Sequence, residues 1–170
     1  MFAELELQAG KIASAKTRLD EILPQAVRGD DLELQGSVCA LYAKVLLAQV
    51  DDPSEAEGED SRGIVWSNGD LKLRPDTLRL VISFLNMAKT AFRKLEMYEA
   101  EQDALYLLAV TCENADKTKK RDLAIAEFRE AEEKQKRAAI EMDEDMMGVW
   151  EFVCEVGVMI SNGLNWDGQA

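Results

Sequence analysis

Three times in this chain a small residue is followed four positions on by a large apolar one, and three positions later by another apolar residue. The sets are Ala15, Leu19 and Ile22, then Ala88, Phe92 and Leu95, then Ala124, Phe128 and Ala131. On a helix these positions share one face. The small residue lets a neighbouring helix come close, and the large one fills the space beside it. A helix pair with such a face cannot bury it alone, so it stacks on copies of itself. The pattern predicts an all-α fold of antiparallel helix-pair repeats, a fragment of an α-solenoid with about five or six helices. Ala88, Phe92, Ala124 and Phe128 are the positions expected to be buried.

Turn signals divide the chain into helices. Residues 2–28 are helical in pattern, but Gly10 breaks the run after two turns, because a tight interhelical turn needs a residue free of Cβ constraint. The chain thus reads as starting in mid-repeat. Pro24 is expected to bend the second helix or end it early. Gly29, Asp30 and Asp31 then lead into a helix over residues 32–49. Its inward face is Leu34, Val38, Leu41, Val45 and Ala48, flanked by Cys39, Tyr42, Leu46 and Gln49. Pro75 opens the next helix, to residue 97, with Leu78, Val81, Ile82, Leu85, Ala88, Phe92 and Leu95 inward. Another covers 98–114, with Ala104, Leu107, Leu108, Val110 and Thr111 inward. The last repeat helix, 121–141, buries Leu123, Ala124, Phe128 and Ala131.

Two stretches fall outside this scheme, so the repeats span residues 1–140 with a loop insertion at 51–74. Residues 51–62 are acidic and lack large apolar side chains, the composition of a surface segment. Asn68-Gly69 between apolar runs is a hairpin signal. An isolated hairpin is only marginally stable, so an irregular loop with Trp66 resting on the helices is the first expectation. The tail, 141–170, opens with Glu141, Asp143, Glu144 and Asp145 and continues as an amphipathic helix. Val149, Trp150, Phe152, Val153, Val156 and Ile160 lie within its broad apolar face. It reads first as a cap on the last repeat, and second as a partner-binding helix. Residues 161–170 read as a frayed end.

The chemistry is sparse. There is no histidine, which removes the commonest general base and zinc ligand. Cys39, Cys112 and Cys154 are far apart and form no C-x-x-C pair, as free structural thiols do. The acidic run at 141–145 lacks the alternation and Gly of a calcium loop. No phosphate-binding Gly-rich loop and no nucleophile elbow occurs. The expectation is no catalysis, no metal and no cofactor. With 33 acidic against 20 basic residues the net charge is −13, which repels nucleic-acid phosphates and anionic lipid and attracts a basic protein surface. No apolar run reaches membrane-span length and no signal peptide opens the chain, so an intracellular, soluble protein is expected, in nucleus or cytoplasm.

The spacing resembles that of tetratricopeptide repeats. Two longer stretches narrow the likeness. Residues 19–34, LDEILPQAVRGDDLEL, resemble a repeat boundary in subunit five of the anaphase-promoting complex, where a helix ends in Leu-Pro and a short acidic turn follows. Tyr106-Leu107-Leu108-Ala109, then a turn, Lys119-Lys120-Arg121-Asp122 and a helix carrying Phe128, resemble that subunit's last repeat. The resemblance implies a non-catalytic scaffold in a nuclear ubiquitin ligase of mitosis, seated beside subunits one and four. The chain departs from the family in its shortness, in the 51–74 insertion and in the tail after Glu141. Its partners would be other protein subunits, met through Phe2, Leu5, Trp66, Trp150, Phe152 and Val156. The alternative is a peptide-binding adaptor of another complex, although its inner-helix candidates Lys44, Gln49 and Asn114 form no basic cluster.

Overall fold

The computed structural model describes residues 2–51, 64–67 and 70–163, and the surroundings of the side chains over 2–49 and 74–155. The elements are α1 (Phe2–Gln8), α2 (Ile12–Arg28), α3 (Leu32–Asp51), β1 (Ile64–Ser67), β2 (Asp70–Leu73), α4 (Pro75–Lys94), α5 (Tyr98–Asn114) and α6 (Thr118–Gly163). The fold is all-α, with six helices among the described residues. The chain forms two compact units, Met1–Glu132 and Glu133–Ala170.

In the first unit each helix from α1 to α5 packs on the next. Three of the turns have the same build. Gly10, Glu96 and Asp116 each take a left-handed conformation, with φ of 75°, 57° and 55°. Each donates its N–H to the carbonyl three residues back, and the next residue donates to the carbonyl five back: Lys11 to Glu6, Met97 to Phe92, Lys117 to Cys112. This double bond pattern is a Schellman cap, which satisfies the carbonyls left open where a helix stops. Only Gly10 announces the turn by residue type. The α2–α3 turn is different. Gly29 is extended there, and Asp31 caps α3 by accepting the Leu34 N–H at 2.9 Å. Pro75 occupies the first turn of α4, as its missing N–H allows.

The core follows the small-residue pattern. Ala15, Ala88 and Ala124 are all fully buried, with Leu19 and Phe92 beside them. The closest approach is between α3 and α4. A Cβ built on Gly36 would stand 2.7 Å from the Phe92 ring, so only glycine fits at that point. Tyr42 ties three helices together. Its hydroxyl donates to Asp20 of α2, and its ring meets Phe84 of α4 at 4.8 Å between centroids. Polar groups join the far end of the unit. Glu101 of α5, only 2% exposed, accepts from Arg93 of α4 at 2.6 Å, and Glu127 of α6 binds Lys89 at 2.6 Å and Arg93 at 3.2 Å.

Several expectations are corrected. Ile22, Leu34, Leu95, Val110 and Leu123 are exposed rather than inward, and Phe128 is half-buried. In their place Ala43, Leu105 and Cys112 are buried. Ile22 and Leu34 are open because they line the groove described below, and Leu95 caps the end of α4. Pro24 does not end α2, which runs on to Arg28. A proline inside a helix removes one backbone bond and strains the preceding turn without having to stop the helix. The 64–73 stretch is a hairpin, not an irregular loop: β1 pairs antiparallel with β2, from Ile64 opposite Leu73 to Ser67 opposite Asp70, and β2 runs beside α3. The acidic stretch 52–63, the end 164–170 and the side chain of Trp66 lie outside the described residues. The expected last repeat helix and tail helix are one helix, α6. Residues 141–147 are Glu, Met and Asp, of which Glu and Met are good helix formers, and nothing there forces a stop.

Two outcomes test this packing. Gly36→Ala should destabilise by about 1–3 kcal/mol through overpacking against the ring, and most of that cost should vanish in a Phe92→Ala background. Equal costs in both backgrounds, by denaturant unfolding, would show that the two do not touch. Glu96→Gly should stabilise by about 1 kcal/mol, because glycine enters the left-handed region without a Cβ penalty. A loss of stability there would contradict the cap.

Candidate functional site

Two surfaces have the character of contact sites. The first is a groove of 770 Å³ in the first unit, lined by residues of α1, α2, α3 and α5 with Phe92 of α4. Most of its lining comes from α3. Its floor is apolar: Leu19, Val38, Leu41, Phe92, Ala104 and Leu107. Its walls carry Glu4, Glu21, Asp31, Glu33 and Asp103 against Arg18 and Lys44. Arg18 is already bound to Glu6 at 2.7 Å, which leaves Lys44 as a cation among five carboxylates. The groove therefore suits an apolar ligand with positive charge. Phe2, 76% exposed, stands on its wall.

The second surface lies on α6 within the second unit. Ile140, Met142, Met146, Met147, Val149, Trp150, Phe152 and Val153 are all more than half exposed, with Trp150 and Phe152 at 66% each. Soluble monomers rarely leave so many large apolar side chains open on one short segment.

The predicted partner-binding residues fall on α1, β1 and α6. Phe2 and Leu5 are exposed on α1, and Phe2 alone of the two lines the groove. Trp66 sits in β1. Trp150 and Phe152 belong to the second unit, and Val156 follows them on α6. Of the candidates for a basic clasp, Lys44 is in the groove, while Gln49 and Asn114 are not among its lining residues. Leu41, Asp103 and Leu107, which do line it, were missed as site residues. Their signal is that α3 and α5 are alternate helices, and the stack turns the same face of each to one side.

The buried ion cluster beside the groove is structural. Burial acts to lower the Arg93 guanidinium, but its bonds with Glu101, and then Glu127, outweigh that and hold it above its usual value. Arg93 stays charged, as Glu101 in the interior requires. Burial pushes the Cys39 thiol up to about 11. It also raises Cys112, against a smaller opposite pull from Lys117 and Lys120. Neither thiol is poised as a nucleophile, which needs a lowered value and access. Among the described residues no three His, Cys, Asp or Glu side chains converge as a metal ion would need, and no helix is long and apolar enough to cross a membrane. Comparison with family models, with curated proteins and with solved structures gave no match.

The thiols give a direct check. Iodoacetamide should modify exposed Cys154 rapidly and reach Cys39 and Cys112 only on unfolding. Because Cys39 keeps its proton in the folded state, stability should be undiminished below the ordinary thiol value of 9.0 and fall as pH rises from there to about 11. Cys39→Ala should flatten that alkaline limb; an unchanged limb would place its cause elsewhere.

Proposed function

We propose that this chain is a non-catalytic protein-interaction scaffold, a helix-pair module that works inside a larger protein assembly. The observation that carries this reading is the run of open apolar side chains from Ile140 to Val153. A surface of that kind is costly in water and is stabilised when another protein covers it. The small-residue seam of the first unit supports the same reading, since seams of that kind suit helix-pair repeats, which present extended binding faces. The sequence supplies no histidine and no nucleophile constellation, so the reading needs no active site. The resemblance of residues 19–34 and 106–128 to subunit five of the anaphase-promoting complex offers one assembly, in which the chain would meet other subunits in nucleus or cytoplasm.

A second reading has its own observation. The acidic groove with its apolar floor suits a peptide-binding adaptor, whose ligand would carry Lys or Arg among apolar residues. The two readings use different surfaces and separate by mutation.

Tagged full chain recovered from its own cells should bring down partner proteins in stoichiometric amount. Val149→Glu, at an exposed position, should release them without changing the far-UV circular dichroism. Leu41→Glu in the groove should release them instead if the adaptor reading holds. If the recovered partners are not subunits of the ubiquitin ligase, the anaphase-promoting assignment fails and the scaffold stands. Recovery of the chain alone would overturn both readings.

A further inference from the structure

The exposed residues of α6 are not scattered. Met142, Met146, Val149 and Val153 follow one another at spacings of four, three and four, the repeat that keeps a seam on one side of a helix paired with another helix. The same spacing continues in the sequence at Val156 and Ile160. At 3.6 residues per turn, Trp150 and Phe152 stand about 80° to either side of the seam. The seam thus has an aromatic ring on each border. Its polar surroundings have one sign only. Asp143 and Asp145 border it, Glu144 and Glu151 lie on the opposite face, Glu141 and Glu155 flank its ends, and no Lys or Arg follows Arg137.

That charge decides the occupant. A second copy of the chain would set two acidic helices side by side, with no cation on either to relieve the repulsion. A helix bordered by Lys and Arg would meet Asp143 and Asp145 beside the seam on a segment with no cation of its own, and an acidic helix would be disfavoured. We propose that α6, from Met142 to Val153, is a pairing helix that takes an amphipathic helix with basic borders from another protein, the partner's apolar stripe lying on the methionine–valine seam between Trp150 and Phe152. The inference rests on the scaffold reading and names the chemistry of the partner that reading requires.

The test uses the full chain and two synthetic helices of roughly three heptads, both with Leu at the seam positions, one bordered by Lys and the other by Glu. Fluorescence polarisation of the labelled peptides at physiological salt gives the affinities. The Lys-bordered helix should bind one per chain, and the Glu-bordered helix at least about tenfold more weakly. Raising the salt should weaken the first. Val149→Glu and Met146→Glu should each lower its affinity at least about tenfold, with helix content unchanged, since both side chains are exposed. Equal binding of the two peptides would overturn the charge argument. Binding untouched by Val149→Glu but lost with Leu41→Glu would move the site to the groove. A stable dimer of the chain in light scattering, broken by Val149→Glu, would make the second copy the occupant. Each of these outcomes leaves the scaffold reading intact if Val149→Glu still releases partners recovered from cells. Failure of the variant in both experiments overturns the inference and the reading together.

Discussion

The first unit depends on one close approach. Gly36 lets α3 settle against the Phe92 ring of α4, and Ala88 and Ala104 complete the space around that ring. The ring then reaches the floor of the groove, which α3 and α5 line from either side. A bulkier residue at position 36 would push α3 off α4, and α3 carries Val38, Leu41 and Lys44 of the groove. Packing here sets the binding face as well as the stability. Dispersion contacts of this kind fall off within fractions of an ångström, so the shape of the groove is no looser than the core below it.

The helices and their main seam were legible because they are written in spacing. A small residue four positions before a large one has a single geometric meaning on a helix, and Ala15, Ala88 and Ala124 are buried as that meaning demands. The misses came where burial depends on which neighbour is present. Leu95 and Ile22 continue the apolar period, but one caps the end of α4 and the other faces the groove, and their spacing carries no information about that. The breaks after residues 97 and 114 were legible, but the kind of turn made there was not. Glu96 and Asp116 hold a left-handed backbone without being glycine, so residue type did not mark them. The hairpin was undervalued because isolated two-stranded ribbons are marginal; this one has α3 beside it. The groove was invisible because its lining comes from helices far apart in sequence, none of which carries a motif of its own.

Charge is used in two ways in this protein. Between α4, α5 and α6 it is buried and balanced: Arg93 and Lys89 sit among Glu101 and Glu127, and the bonds fix how three helices meet. A buried ion set of this kind adds less stability than a well-packed apolar one, but it tolerates few alternative registers. On the groove wall charge is open and mostly acidic, and along the later part of α6 it is open and one-signed. There it cannot fix a fold. It acts over the surface, raising the local concentration of cationic partners and discouraging acidic ones.

The open acid also explains how an exposed apolar helix can persist. A stripe such as Met142, Met146, Val149 and Val153 would on a neutral helix invite pairing with any other apolar stripe, another copy first of all. The surplus acid of this segment, with Asp143 and Asp145 on the borders of the stripe, gives two copies the same sign and disfavours self-pairing. The same carboxylates cost little when the chain is alone, because each is solvated, and they become attractive only beside Lys or Arg. Hydrophobic burial supplies the larger part of the binding energy and is indifferent to partner. Charge supplies the smaller part and makes the choice. Exposure of the seam and the surplus of acid around it are therefore one arrangement, and neither is explained without the other.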